Sequence, residues 1–519
     1  MDTRRKMRHL RQSASSSAPA MSMAQRYSSQ GQAPLAANGI AAEHPACTAL
    51  PHRSCRHPLT NVVENVRLGH CEDGVKGRFD AILPVLQEVA ARGLGSGYAE
   101  NAQRLAQERL GFSFPENLLE NAWVRGFDMR SLFASATFAA LELGVARFSQ
   151  RLREELQAGE NVDAMLVDCG FHAMNLSLCA DGRLKGFLPY VLRMPAGHLL
   201  RRSAFAGTLF DVERDVEDWQ ATELRRYREG FPTTADVPTR YLKVAVYHGS
   251  SLDPTHEGCA AHGSNESLAL EMAMQRLQAF REAIENEFCC GASTDILLIG
   301  LDTDTDAIRI HVPDAKGNLS AYRYVDNAQV YRQTLDMDAD RARLAVYEAI
   351  RVAAESSGWG QGEGMPHDGM RRLIATLLIN NLSQIEYVAD RVGGWYPDAG
   401  HGERFISVGD GFQELQMRNV AYYARLDTVE EGAADLDVGI KIFKHLNVER
   451  QLPIPMALHY RYDSRVPGNR ERVVSKLQRV ADAIRQRYAQ LDRNGWLYLH
   501  GSVQRSEEHT SELQSLAYL

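Results

Sequence analysis

Apolar positions along the chain change their period several times, and each change marks an element boundary. Phe79, Ile82, Leu83, Leu86 and Val89 recur at helical spacing, and a second apolar stripe runs through 129–156 before Gly159. With the turn-rich stretch 91–97 between two helices, residues 44–157 read as a helical N-terminal domain. Beyond it the period shortens to two. Met174, Leu176 and Leu178 alternate with Asn175 and Ser177, which predicts a half-buried strand ending just before Cys179. Leu242, Val244 and Val246 predict another strand, with His248 just past its end. Residues 296–301 are continuously apolar, as in a buried central strand, and Ile308, Ile310 and Val312 alternate with Arg309 and His311. Between these strands Ala273, Leu277, Phe280, Ile284 and Phe288 share one helix face, capped by Asn265 or Ser267. This order predicts an α+β or α/β domain with a mixed sheet over 158–400. A further mixed segment, 401–504, holds a predicted strand at 438–443 and a long helical pattern over 470–491.

The two ends read differently. Arg4, Arg5, Lys6, Arg8 and Arg11 open a Ser/Ala/Gln-rich stretch with few large apolar residues. Residues 1–43 cannot bury enough surface to fold alone, so they are expected to be a disordered tail, either idle or docking to a larger assembly. At the other end, 505–515 reads RSEEHTSELQS. That string resembles the translation of a sequencing adapter, so 505–519 is set aside as an artefact and the natural C-terminus is expected to be missing.

Composition narrows the function classes. At 519 residues the chain calls for several domains. A hydrophobic fraction of 44%, a charged fraction of 24% and a mean hydropathy of -0.33 are those of a globular protein. A net charge of -8 argues against nucleic-acid binding. No apolar run approaches the roughly 18 residues of a membrane span, and no apolar stretch follows the basic start as in a secretory signal. A cytoplasmic protein is expected. Its cysteines, at 47, 55, 71, 169, 179, 259, 289 and 290, are too sparse for a disulfide scaffold. They read as buried thiols, metal ligands or catalytic groups.

The sharpest local feature is Cys179-Ala180-Asp181-Gly182-Arg183, which follows a predicted strand. A thiolate at a strand end can enter a crevice at the edge of a sheet. Asp181 can reach the same crevice, and Arg183 can hold Asp181 ionised through a bidentate pair. His248 at the next strand end and Cys259 in the following loop can complete a Cys2His set. Three protein ligands leave one position of tetrahedral zinc open, as catalytic sites require. Taken singly, C-x-D-x-R is more often a charged turn and His248 a satisfied buried histidine; the combination is what carries the reading.

The C-x-D-x-R run followed by a distal His and Cys resembles the β-class carbonic anhydrases. It departs from their usual His-x-x-Cys, because ten residues separate His248 from Cys259. That longer spacing, with DCGFHAMNLSLCADGRLKG, YLKVAVYH, DPTHEGCAAHGSN, CCGASTDILLIGLDTDTDAIRIHVPD, INNLSQIEYV, ISVGDGF and DVGIKIF, resembles the carboxysomal shell carbonic anhydrases, or epsilon class, over about 44–500. The resemblance implies a β-carbonic-anhydrase-like catalytic domain and a degenerate, metal-free C-terminal copy. It also implies one Zn2+ per chain on Cys179, His248 and Cys259, with Asp181 and Arg183 as the catalytic dyad. The implied activity interconverts CO2 and bicarbonate inside a carboxysome of the bacterial cytoplasm, supplying CO2 to Rubisco. Shell proteins or Rubisco are the implied partners, through 1–43, and a homo-oligomer is expected. The alternative is a non-catalytic, zinc-stabilised shell scaffold, which would need a fourth protein ligand such as Cys169 or His262. A zinc alcohol dehydrogenase would need a nucleotide fingerprint, and the glycines at 358, 360, 362 and 364 do not form one.

His256 and His262 flank Cys259 and could shuttle protons, though such residues more often only hydrogen-bond a loop. The vicinal Cys289 and Cys290 read as buried thiols rather than a redox switch. Asp302, Asp304 and Asp306 fail as a calcium loop, since Ala307 and Pro313 stand where Gly and Glu are needed; a solvated turn is expected.

Overall fold

The computed structural model describes residues 56–506 and 514–516, apart from 93–94, 96, 126, 156–161, 195–196, 235–236, 288–292, 315, 359–367, 399, 413–416 and 427–428. The expectations for 1–43, for Cys47 and Cys55, for the Cys289–Cys290 pair, for Gly360, Gly362 and Gly364, and for most of 505–519 lie outside the described residues.

Four helices come first: α1 (Val62–Ala91), α2 (Tyr98–Arg109), α3 (Glu116–Arg125) and α4 (Met129–Glu155). Asn61 caps α1 by accepting from the Glu64 backbone N–H. Phe79, Ile82, Leu86 and Val89 are buried along α1 as their spacing predicts, and they pack with α4 residues such as Leu132 and Phe138.

A six-stranded sheet follows, in the order β2-β1-β3-β4-β5-β6. Its strands are β1 (Ala173–Cys179), β2 (Leu200–Phe205), β3 (Arg240–Gly249), β4 (Ser293–Asp302), β5 (Ile308–His311) and β6 (Tyr324–Asp326). β2, β1, β3 and β4 are parallel, and β5 and β6 run antiparallel. Helices α5 (Val162–Asp168), α6 (Val212–Arg228) and α7 (Glu266–Glu287) connect or precede the parallel strands. Of the two predicted caps for α7, Asn265 accepts from the Leu268 backbone N–H. Helices α8 (Asn327–Thr334), α9 (Ala339–Ser357) and α10 (Asp368–Val392) complete this part, and α10 also ties to α1 where Tyr387 donates to Glu72 (2.5 Å).

A second sheet has the order β11-β10-β9-β7-β8. Its strands are β7 (Phe405–Gly409), β8 (Ala421–Ala424), β9 (Ile454–Tyr462), β10 (Leu497–Arg505) and β11 (Gln514–Leu516), with β11 antiparallel. Helix α11 (Val429–Leu446) lies between β8 and β9, and α12 (Asn469–Arg487) and α13 (Ala489–Arg493) lie between β9 and β10. The N-terminal helices pack on this second sheet, through Phe405, Val420, Ala421 and Ala457.

Four expectations need correction. His248 lies inside β3 rather than just past its end. The strand predicted at 438–443 is the second half of α11: Leu436, Ile440 and Phe443 are its buried stripe, a pattern that a short window cannot tell from alternation. β1 is buried on both faces rather than half-buried, and it includes Cys179. Its polar residues Asn175 and Ser177 accept from Lys243 Nζ (2.7 and 2.6 Å), which also pairs with Asp215 (2.6 Å) in the interior. Finally, the turn 302–306 is not solvated: Asp304 and Asp306 are buried. Asp304 accepts from Ser250 Oγ (2.8 Å) and the Leu252 N–H (2.7 Å), fastening the loop after β3.

Candidate metal centre

From β1 the chain passes to β2 on one side, then crosses to β3 on the other. The carboxyl ends of β1 and β3 therefore diverge around a crevice, the place where open parallel sheets bind ligands. Cys179 is the last residue of β1, His248 is one residue from the end of β3, and Cys259 follows in the next loop. All three are buried, and their ligand atoms lie within 4.8 Å of one another. The two sulfurs are 3.8 Å apart.

Among the described residues neither ring nitrogen of His248 has a hydrogen-bond partner, although the residue is 1% exposed. An imidazole buried without partners is costly, and a cation on one nitrogen removes part of that cost. The two sulfurs are hydrogen-bonded to each other. Its hydrogen bond to Cys259, together with burial, pushes the Cys179 thiol well up. Accepting that bond draws Cys259 down, helped by the backbone N–H groups of Ala261 and His262 against the opposing effect of burial. The Gly207 N–H also points at the Cys179 sulfur (3.3 Å). Two sulfurs and one imidazole suit a borderline-soft divalent cation. Among the described residues the group has three members. Cys169 lies at the opposite end of β1, and His262 Nε2 bonds the Gly207 carbonyl (3.0 Å). Three protein ligands, with no fourth among the described residues, match the donor set of open, catalytic sites rather than closed, structural ones.

Asp181 and Arg183 stand beside these three residues. Asp181 caps the short 3-10 turn Gly182–Leu184 by accepting from the Arg183 backbone N–H. The Arg183 side chain returns to grip it, Nε to Oδ1 (3.0 Å) and Nη2 to Oδ2 (2.7 Å). Burial alone would raise the Asp181 pKa, but Arg183, His401 and His248 hold it well below the ordinary carboxylate range. Its Oδ2 lies 3.6 Å from His248 Nε2. Gly182 is required by a close approach: a Cβ there would meet the Glu403 side chain at 2.4 Å.

Two residues that no motif marked, His401 and Glu403, reach Asp181 and Gly182 from later in the chain. His401 Nε2 is 3.9 Å from Asp181 Oδ2, and its Nδ1 is 3.0 Å from Glu403 Oε1. Glu403 also accepts from the Gly182 N–H (3.0 Å). Burial opposes protonation of His401, but Glu403 and Asp181 outweigh it and raise its pKa. His256, read as a possible shuttle, is exposed and bonds Asp253. A small cavity beside Cys179 is lined by Cys179, Asp181, Ala206, Ala260 and Ala261 on one side, and by Tyr422, Val438 and Ile442 on the other. The latter three come from β8 and α11, so one half of the molecule supplies the three candidate ligands and the other supplies an apolar wall. No motif announced these residues, since a wall needs only volume and apolarity.

Comparison with known proteins agrees with this division. The family model for the catalytic domain of carboxysome shell carbonic anhydrases matches residues 161–401. The models for that family's C-terminal and N-terminal domains match 402–517 and 57–149. The chain is 57% identical over 463 residues to the carboxysome shell carbonic anhydrase of Halothiobacillus neapolitanus, covering 89% of this chain and 90% of that protein. It is 50% identical over 455 residues to the protein of that name from Parasynechococcus marenigrum, covering 87% of this chain and 77% of that one. With one from Prochlorococcus marinus the identity is 48% over 464 residues, covering 88% of each.

Proposed function

Because the chain belongs to the carboxysome shell carbonic anhydrase family, we propose that Cys179, His248 and Cys259 hold one Zn2+ per chain and that Asp181 and Arg183 serve the reaction at its open position. The protein is a carbonic anhydrase, and its place is the carboxysome. The convergence of the two sulfurs and the imidazole at the β1–β3 crevice carries the metal assignment. Bound there, zinc supplies a Lewis acid that makes water ionisable near pH 7.

The chain's own residues do the rest. Tyr422, Val438 and Ile442 give CO2 an apolar surface and exclude competing water. Asp181, held ionised, can only accept a hydrogen bond, so it orients the nucleophile's proton toward itself and a lone pair toward the carbon. Arg183 fixes the carboxylate in that pose. His401, 18% exposed at its side chain and next to Asp181, passes the released proton outward, with Glu403 steadying its charged form. In the reverse direction the same groups release CO2 from bicarbonate. We read that as the direction that supplies Rubisco, with residues 1–43 making contacts to Rubisco or the shell and the chain acting as a homo-oligomer. The division at 157 and 400 assigns helical support, ligands and wall to successive domains.

The test is zinc stoichiometry measured together with CO2 hydration, on wild type and on Asp181→Asn. Wild type should carry one zinc, and Asp181→Asn should carry one zinc with most turnover gone. Full activity in metal-free protein would end the proposal.

A further inference from the structure

Arg183 does more than hold Asp181. Its side chain is fully buried and its guanidinium reaches in two directions. Nε and Nη2 bond the carboxylate of Asp181. Nη2 also donates to the Gly258 carbonyl at 3.0 Å, and Nη1 donates to the Glu257 carbonyl. Those two carbonyls belong to the residues immediately before Cys259.

The loop around Cys259 is built to transmit that grip. Gly258 is packed so closely that a Cβ there would lie 2.8 Å from the Ser264 carbonyl oxygen. The Cys259 carbonyl accepts from the N–H groups of His262 (3.0 Å) and Ser264 (2.9 Å), and Ser264 Oγ bonds the His256 carbonyl (2.8 Å). What these bonds do not do is tie Cys259 to β1, which carries Cys179. Arg183, four residues after Cys179, makes that tie. A planar group with N–H donors in a fixed fork can bond a carboxylate and two carbonyls at once, whereas a lysine's single ammonium has no such fork.

We propose that Arg183 is a positioning residue for the metal ligand Cys259, setting the distance between the two sulfurs and with it the affinity of the site for zinc. This inference rests on the zinc reading above.

The test measures zinc affinity by chelator competition on the full chain, in wild type, Asp181→Asn, Arg183→Gln and the double variant Asp181→Asn/Arg183→Gln. Asp181→Asn should keep wild-type affinity. Arg183→Gln and the double variant should lose about 10- to 100-fold, the range seen when a partner of a ligand is removed. The double variant matters because it buries no unpaired carboxylate, so it keeps the test decisive if Arg183→Gln alone fails to fold. In the double variant saturated with Co2+, the thiolate-to-cobalt absorption should fall toward that of Cys259→Ser. A double variant with the affinity and the absorption of Asp181→Asn overturns the inference while leaving the zinc site standing. Wild type that takes up no zinc, or Cys259→Ser that binds it as wild type does, overturns the zinc reading and this inference with it.

Discussion

The two sheets share a topology and differ in chemistry. β2-β1-β3-β4 and β8-β7-β9-β10 have the same order, and all four strands are parallel in each. Ser177 faces Ala245 across β1 and β3, and Ser407 faces Ala457 across β7 and β9. That register sets Gly409 where Cys179 stands and Tyr460 where His248 stands. The second crevice is closed by its own side chains: a Cβ on Gly409 would come within 2.8 Å of the Tyr460 ring, whose hydroxyl donates to the Leu426 carbonyl (2.8 Å). Topology thus provides a crevice twice, and the residues at the strand ends decide whether it is a ligand pocket or packed core.

The largest effects should come from the first crevice. Cys179→Ser and His248→Ala should each remove bound zinc and lower CO2 hydration by more than about 1,000-fold, the scale for losing one member of a catalytic unit; metal analysis beside stopped-flow hydration reads both. Asp181→Asn should separate the two readouts, keeping zinc while kcat/KM falls by about 100- to 1,000-fold. The reverse experiment installs Cys at 409 and His at 460. Zinc should stay at one per chain, and the protein should lose about 1–3 kcal/mol of stability, because Gly409 sits at φ +95 in the left-handed region. A second zinc would show that two strand-end ligands are enough, and would sharpen the comparison. On the shared wall, Ile442→Asn should leave zinc in place and lower kcat/KM by about tenfold.

The smallest effect concerns Asp435, which lies beneath that wall and accepts from the Ala206 N–H (2.6 Å). Burial raises its pKa to about 6 from an ordinary 3.8. A raised carboxyl favours folding while protonated, so its contribution is full below about pH 4 and is lost as pH rises through about 6. Asp435→Asn keeps the acceptor and removes the buried charge. Its melting temperature should match wild type at pH 4 and exceed it by a few degrees at pH 8, equivalent to about 2 kcal/mol.

What could be read from the sequence was what chemistry constrains locally. Cys179, Asp181 and Arg183 sit within five residues, and the distal His248 and Cys259 follow a recognisable order. The strands that place them are fixed by short apolar runs. The missing pieces are those whose signal is spatial. His401 and Glu403 lie more than two hundred residues from Asp181, in a stretch with no periodicity. α11 looks like a strand in sequence because Val438, Ile440 and Ile442 alternate, while the helical set Leu436, Ile440 and Phe443 needs a longer window. Gly439, which weakens a helix prediction, is there because the Tyr422 ring lies 2.7 Å from where its Cβ would be. Buried Lys243 likewise gave no hint of its partner Asp215, twenty-eight residues away.

The strand-end loop after Cys179 is stitched to the other sheet through main-chain atoms: the Tyr423 N–H bonds the Ala180 carbonyl (3.1 Å) and the Asn419 N–H bonds the Gly182 carbonyl (2.9 Å). Were these two halves separate polypeptides, dilution would strip the wall from the pocket. Joined in one chain they meet at a fixed effective concentration, so this pairing cannot be titrated away however scarce the protein becomes.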